Sequence, residues 1–165
     1  MSLARHLPAG CAVRRATAAD AARVAGLLRT IDRAEMEALE GRSALEVLGG
    51  WMADTPRVLT IRGEPAVLFG IEPCTGLPGH AMPWLAIVST MAHDDLMNVL
   101  WLSRLQVDAW QRRWPVLQTL CDARNLFHRQ WLEWLGFEPQ GRVDGFGAAG
   151  LPFDLYRRAR GPTLH

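Results

Sequence analysis

The chain of 165 residues contains no lysine, so arginine carries all 18 of its formal Lys and Arg charges. Because 17 acidic residues balance them to a net charge of +1, no field of one sign is available for non-specific nucleic-acid binding. No apolar run approaches the roughly 20 residues of a membrane span, and the N-terminus lacks a signal-peptide core. We expect a soluble intracellular protein with no membrane span and no direct nucleic-acid site.

Cysteine is also scarce, and Cys11, Cys74 and Cys121 form neither a CxxC pair nor an even set. This spacing predicts no zinc site, no other metal site and no disulfide framework, as is usual in a reducing compartment. The length suits one domain with a single core. We predict a flexible leader over 1–10, the domain over 11–158 and a tail over 159–165.

Hydrophobic periodicity predicts an α/β fold class, an α+β mixed sheet with five to seven strands and three to four helices. Thr17 and Asp20 predict the start of the first helix, and Ser43 restarts a second helix that breaks near Gly41. The predicted strands lie at 11–15, 57–62, 66–71, 84–90, 116–121 and 154–157. The predicted helices lie at 18–33, 35–52, 91–114 and after 125, and a Pro/Gly-rich loop is predicted at 73–83.

The stretch from Pro115 to Phe137 is the most informative part of the chain. A buried strand at 116–121 is followed by two candidate helix caps, Asp122 and Asn125. The next helix has one apolar face, made by Phe127, Trp131, Trp134 and Leu135. Gly136 is expected to end this helix, because glycine adopts the left-handed conformation without steric cost.

This block resembles the last helix of GCN5-related N-acetyltransferases (GNAT), with the pattern N-x-x-A-x-x-L-Y-x-x-x-G-F. Asn125, Trp131, Gly136 and Phe137 occupy the expected places, and Gly136 lies eleven residues after Asn125. The position that holds the catalytic tyrosine in the family is Leu132, which cannot donate a proton to a departing thiolate. The resemblance implies a GNAT-like fold.

The same resemblance implies a coenzyme A (CoA) loop of the type R/Q-x-x-G-x-G/A after the central strand. The corresponding segment contains no glycine, and Asp94 and Asp95 would repel a pyrophosphate while suiting a helix N-terminus. We therefore interpret the CoA loop as degenerate and expect no cofactor. Its residues are Met91, Ala92, His93, Asp94 and Asp95.

Few other side chains suggest chemistry. His93 is a weak candidate for a catalytic base, and Asn125 is a weak candidate for cofactor binding. His128 and Glu133 lie five apart on one helix and are not expected to act together. The acidic residues of the second helix are expected to form a solvated face, and Cys121 is expected to be a core residue.

The longer pattern P-V-L, D-A-R-N, W-L-x-W-L-G-F and G-L-P-F is similar to a family of GNAT-like phage proteins, typified by the internal virion protein A of short-tailed phages. That resemblance implies a non-enzymatic virion or assembly protein, located in the virion or the host cytoplasm. Its expected partners are portal or internal core proteins, or further copies of itself. The candidate interface residues are Trp51, Trp101, Trp110, Trp114 and Trp131.

The alternative is an active acyl-CoA-dependent N-acyltransferase of the GNAT superfamily, with acetyl-CoA as donor. In this hypothesis strand backbone holds the pantetheine arm, and a substrate amine attacks the thioester directly while water or His93 accepts the proton. The missing glycines, the paired aspartates and Leu132 favour the structural hypothesis.

Overall fold

Seven strands form one mixed sheet in the computed structural model, which describes residues 3–161. The strands are β1 (Cys11–Arg15), β2 (Arg57–Ile61), β3 (Glu64–Pro73), β4 (His80–Ile87), β5 (Val116–Asp122), β6 (Glu138–Phe146) and β7 (Leu151–Ala159). Their order across the sheet is β1-β2-β3-β4-β5-β7-β6. This arrangement confirms the predicted α+β mixed sheet at the upper limit of the expected strand number.

Five α-helices accompany the sheet within the described range: α1 (Ala18–Leu27), α2 (Thr30–Glu40), α3 (Ala44–Trp51), α4 (His93–Arg113) and α5 (Leu126–Trp134). Short 3₁₀ helices cover Leu3–His6 and Met52–Asp54. Thr17 with Asp20, and Ser43 with Glu46, form capping boxes at the starts of α1 and α3, where the sequence predicts them. No helix in residues 3–161 has the length and hydropathy needed to cross a membrane.

The first helix ends earlier than predicted. Leu28 is extended (φ −56°, ψ 147°) and forms an isolated bridge with Val88, and the Ser89 N–H donates to the Leu27 carbonyl at 2.7 Å. Because these contacts bind the chain to the residues after β4, the predicted single helix over 18–33 is wrong. A second helix, α2, begins at Thr30 instead.

The central strand β4 starts at His80, so the predicted loop over 73–83 is too long and the predicted strand over 84–90 starts too late. Backbone bonds from His80 N–H to Leu77 O (3.1 Å) and from Cys74 N–H to His80 O (3.0 Å) close a short turn. Gly79 takes a left-handed φ of +78° in that turn. Pro83 is tolerated because a strand can accommodate a missing N–H where the sheet opens.

The sheet opens between β4 and β5. These strands run parallel and pair only at His80 with Val116 and Ala81 with Leu117. Beyond Ala81, β4 remains paired with β3 on its other side, through Ile87 opposite Val67. The two central strands therefore diverge after these two pairs. Among the described residues no other strand lies between them.

Candidate active site

A cavity of about 240 Å³ occupies the gap between β4 and β5. Strand β4 contributes every residue from Met82 to Ile87, and β5 contributes Thr119 and Leu120. Helix α4 supplies an apolar wall with two polar groups, Ser103 and Gln106. The cavity therefore passes between the two strands, and the edge of β4 that faces β5 is accessible to a ligand in the cavity.

The wall that α2 and β3 contribute to the cavity is acidic. Asp32, Glu35 and Glu40 come from α2, and Glu72 comes from β3. Arg29 is the one arginine of this wall, and it is committed to Asp32 through Nε at 2.5 Å and Nη2 at 2.8 Å. The wall therefore has an excess of carboxylates, which favours a cationic guest.

The surroundings of the Glu72 carboxyl group disfavour its charged form. Burial raises the pKa of Glu72, and the negative charges of Asp54 and Glu40 raise it further. A carboxylate with a raised pKa is a better proton acceptor near neutral pH than an ordinary one.

Asn125 holds two of the carboxylates that line the cavity. Its side-chain carbonyl accepts from the His128 N–H at 3.2 Å and so caps α5, which confirms the predicted cap. Its amide donates to Asp32 Oδ1 at 3.0 Å and to Glu35 Oε2 at 2.7 Å. Asn125 is 1% exposed, so it positions the carboxylates of α2.

His128 lies on the cavity wall beside Glu35, and its Nδ1 is 2.9 Å from Glu35 Oε1. Burial lowers the pKa of His128, but the Glu35 carboxylate and the hydrogen-bonded Cys121 thiol outweigh burial. The pKa of His128 therefore lies well above its ordinary value. Burial raises the pKa of the Cys121 thiol, which is 0% exposed. Glu35, Cys121 and His128 have the donor atoms that could hold a metal ion, all within 4.8 Å of one another.

The segment that corresponds to the family's CoA loop leads directly into α4. Helix α4 begins at His93, and Ala92, its N-cap residue, makes no side-chain cap hydrogen bond. Asp95 instead forms a salt bridge with Arg62, which follows β2. At the N-terminus of α4, Asp95 is therefore held in a long-range ion pair, while Asp94 is exposed.

The structure separates the residues that the sequence singled out. His93 is exposed and does not line the cavity, and Asn125 contacts carboxylates. Trp131 is buried in the core, Trp51 and Trp110 line the cavity, Trp114 is partly buried, and Trp101 is 47% exposed. A tryptophan-based interface stays a prediction. Of the five predicted residues Trp101 alone is exposed, and Trp134, which was not among them, is exposed to 45%.

Sequence reasoning missed the pairing of Glu35 with His128, because 93 residues separate them. One signal was available. In the pattern N-x-x-A-x-x-L-Y, His128 occupies the alanine position, and a buried imidazole there requires a polar partner from another element. Leu132, at the tyrosine position, also lines the cavity, one turn after His128. The single tyrosine, Tyr156, is buried and donates to Glu133 at 3.1 Å.

Comparison with solved structures gives strong matches over nearly the whole chain. Ribosomal-protein-S5-alanine acetyltransferase from Vibrio fischeri matches with a TM-score of 0.69 and 14% identity over 94% of this chain and 96% of that one. AAC(6')-Ib, solved with ribostamycin and coenzyme A, matches at 0.68 and 21% identity over 92% and 94%. A protein from Desulfovibrio desulfuricans assigned to the GNAT acetyltransferases matches at 0.64 and 18% over 90% and 98%. No model of a protein family matches the chain, and no curated protein matches it significantly.

These likenesses show the GNAT fold, which confirms that part of the predicted resemblance. The expectation of a structural phage protein is wrong, because the similar structures are acetyltransferases and nothing supports the phage family or a degenerate CoA loop. The expectation of no cofactor is wrong as well, since three similar structures contain coenzyme A or acetyl-CoA.

Proposed function

We propose that this chain is an acyl-CoA-dependent N-acyltransferase. The observation that carries the proposal is the opening of the sheet, where β4 and β5 pair at two positions only and a cavity begins. An extended ligand can hydrogen-bond to the edge of β4 that no strand covers, as an added strand would. The pantetheine arm of acyl-CoA has amide groups along an extended chain and suits such an edge.

The two walls of the cavity suit the two substrates. Val99, Leu102 and Val107 of α4 offer an apolar surface for the pantetheine methylenes. The carboxylates of α2 and β3 lie on the other wall, where they would attract a protonated amine. The acceptor in this proposal is therefore a cationic amine that approaches from the α2 side.

The reaction follows from these positions. The amine nitrogen forms a bond to the thioester carbon, the carbon–sulfur bond breaks, and the thiolate of CoA leaves. Before this attack the ammonium of the acceptor gives one proton to Glu72, directly or through water, because only the free amine has the lone pair that attacks. After the attack the nitrogen loses its second proton to solvent as the amide forms. Leu132 cannot protonate the thiolate, so that proton comes from solvent.

Binding of acetyl-CoA by the full chain tests this function. At a ligand concentration of a hundred times Kd we expect about 2.7 kcal/mol of stabilisation, which corresponds to a rise in Tm of roughly 2–8 °C. Release of free CoA with an amine present would then follow as a measurement of turnover.

A cleft-blocking variant makes the test specific. Thr119→Trp places an indole in the gap between β4 and β5, whereas Leu45→Trp adds the same group at an exposed position of α3 outside the cavity. The first variant should lose acetyl-CoA binding and the second should keep it. No binding to the wild-type protein at millimolar acetyl-CoA, or equal binding by both variants, would contradict the proposal.

A further inference from the structure

Three metal-ligating side chains of three different kinds meet at the acidic wall of the cavity. They are Glu35 from α2, Cys121 from β5 and His128 from α5, and their donor atoms all lie within 4.8 Å of one another. The donors are one carboxylate oxygen, one sulfur and one imidazole nitrogen. We propose that Glu35, Cys121 and His128 form a zinc-binding site.

The donor set selects among cations. Magnesium and calcium take oxygen ligands, whereas zinc takes thiolate, imidazole and carboxylate together. Zinc bonds to these donors are about 2.0–2.3 Å long, so ligand atoms around a tetrahedral ion lie roughly 3.5 Å apart. The observed limit of 4.8 Å is close enough that side-chain rotations on the order of 1 Å complete the site.

Asn125 gives the cluster the supporting contacts that metal ligands require. It holds Glu35 Oε2 at 2.7 Å, and its carbonyl caps α5 at the His128 N–H. Such outer contacts fix the orientation of a ligand and are important for affinity. Asn125 therefore holds the Glu35 carboxylate at Oε2 and the backbone of the helical turn that carries His128.

The position relative to the cavity determines what kind of zinc site this would be. The side chains of Glu35 and His128 are 12% and 27% exposed and line the cavity, while Cys121 is 0% exposed behind them. An ion can enter from the cavity, and its fourth position would face the cavity and hold water. Three protein ligands with one open position are the arrangement of an accessible site rather than a closed structural one.

A thiol, an imidazole and a carboxylate could also form a nucleophilic arrangement. The burial of Cys121 argues against that role, because its sulfur does not line the cavity and an acyl carbon could not reach it. A single ion that is coordinated by Glu35 and His128 can still reach the sulfur. On binding, each ligand gives up its proton to solvent, so that Cys121 bonds to the ion as thiolate and His128 bonds through a ring nitrogen that carries no proton.

Cobalt substitution tests the site in the full chain. After treatment with a chelator, the protein is titrated with Co²⁺ and then with Zn²⁺. We expect one equivalent of Co²⁺ to bind with a thiolate-to-cobalt charge-transfer band in the near ultraviolet, and Zn²⁺ to displace it. Absence of saturable one-to-one binding, or binding without the thiolate band, would overturn the proposal.

Matched variants locate the ligands. Cys121→Ser should abolish the thiolate band, and Glu35→Gln and His128→Ala should each weaken Zn²⁺ binding by at least about tenfold. Cys74→Ser removes a free thiol elsewhere and should leave binding unchanged. If Cys121→Ser does not fold, the Glu35 and His128 variants decide the question, since unchanged affinity in both would exclude the site. Because no readout involves acyl-CoA, this proposal can fail while the transferase proposal succeeds, and the reverse.

Discussion

Arg62 and Asp95 form a salt bridge that joins the end of β2 to the first turn of α4. The pair neutralises one of two carboxylates at the helix N-terminus, where the backbone N–H groups would otherwise attract an anion. The remaining negative charge is that of Asp94, which is exposed. The N-terminus of α4 therefore repels a pyrophosphate less strongly than two adjacent aspartates in the sequence would indicate.

We therefore expect Asp94→Asn to bind acetyl-CoA about two- to fivefold more tightly than the wild type, because an exposed charge near an anion contributes roughly 0.5–1 kcal/mol. Isothermal titration calorimetry at low ionic strength measures the difference, which should shrink as salt is added. Asp108→Asn, near the other end of α4, is the matched control and should leave affinity unchanged. Unchanged affinity in Asp94→Asn would show that the pyrophosphate is held elsewhere.

Gly70 allows Trp84 to lie flat against β3. A Cβ atom at position 70 would lie 2.7–2.9 Å from three atoms of the Trp84 ring, and that ring also packs on Trp51 with a centroid distance of 4.4 Å. Gly70→Ala should destabilise the protein by about 1–3 kcal/mol, as overpacking does. Urea unfolding followed by tryptophan fluorescence measures this change.

Gly26→Ala is the control for that substitution. Gly26 lies in α1 with no atom within 4 Å of an added Cβ, so alanine there should stabilise by about 0.5–1 kcal/mol through helix propensity. An equal effect of the two substitutions would contradict the steric explanation for Gly70.

The acid limb of the transferase pH profile should report Glu72. Burial, together with Asp54 and Glu40, raises the pKa of Glu72, and only the carboxylate form accepts a proton. The rate should therefore fall as pH drops through this raised pKa, and Glu72→Gln should lower kcat by about 10²-fold. Glu40→Gln should move the limb to lower pH, because it removes one charge that raises the pKa. An unmoved limb in Glu40→Gln would show that another group titrates.

Asp20 makes stability depend on pH. The Arg14 guanidinium, at 2.6 and 2.8 Å, and the Thr17 capping contacts lower the pKa of Asp20 from 3.8 to about 2. A folded pKa below the unfolded one gives stability that is present above about pH 4 and is lost as pH falls towards 2. Since Arg14 is half-exposed, solvent screening reduces the contribution to about 1 kcal/mol.

Asp20→Asn should accordingly be less stable than the wild type near neutral pH, and the gap should narrow below about pH 4. Denaturant unfolding at a series of pH values measures it. Asp144→Asn, on the exposed strand β6, serves as a control without these contacts. A difference in stability between wild type and Asp20→Asn that stays constant across the pH range would mean that the capping contacts of Asp20 stabilise the protein independently of its charge.

Local signals predicted local structure well. The cap at Asn125, the glycine stop with φ +85° at Gly136 and the capping boxes depend on contacts within four residues, so the sequence reveals them. Other features depend on residues far apart in the chain. Helix α1 ends at Leu27 because Leu28 forms a bridge with Val88, and Glu35 is hydrogen-bonded to His128, 93 residues later. Such contacts form only when the sheet assembles, and periodicity does not encode them.

The same dependence on long-range contacts explains why the function predicted from the sequence was wrong. The missing glycines and the aspartate pair suggested a loop that could not hold an anion, but the sequence could not show that Arg62 reaches Asp95. Nor could it show that β4 and β5 separate after two residue pairs. The cavity arises from the divergence of two strands, and the residues of neither strand carry a distinctive motif for it.

Leu132 allows the effect of the fold to be tested separately from the effect of a catalytic side chain. It lines the cavity on α5 at the position where the family pattern has tyrosine. Leu132→Tyr adds a phenol that can protonate the departing thiolate of CoA, so kcat should rise by about tenfold or more. Steady-state release of CoA, at saturating amine, is the measurement.

Leu132→Phe is the matched control, since it adds the same ring without the hydroxyl. Both variants enlarge a residue that is 6% exposed, and both should lose about 1–3 kcal/mol of stability from overpacking. A rate increase in the tyrosine variant alone would show that thiolate protonation limits the proposed transfer in the wild-type protein. Equal rates in the two variants would mean that solvent already protonates the thiolate fast enough, and that leucine at position 132 does not lower kcat.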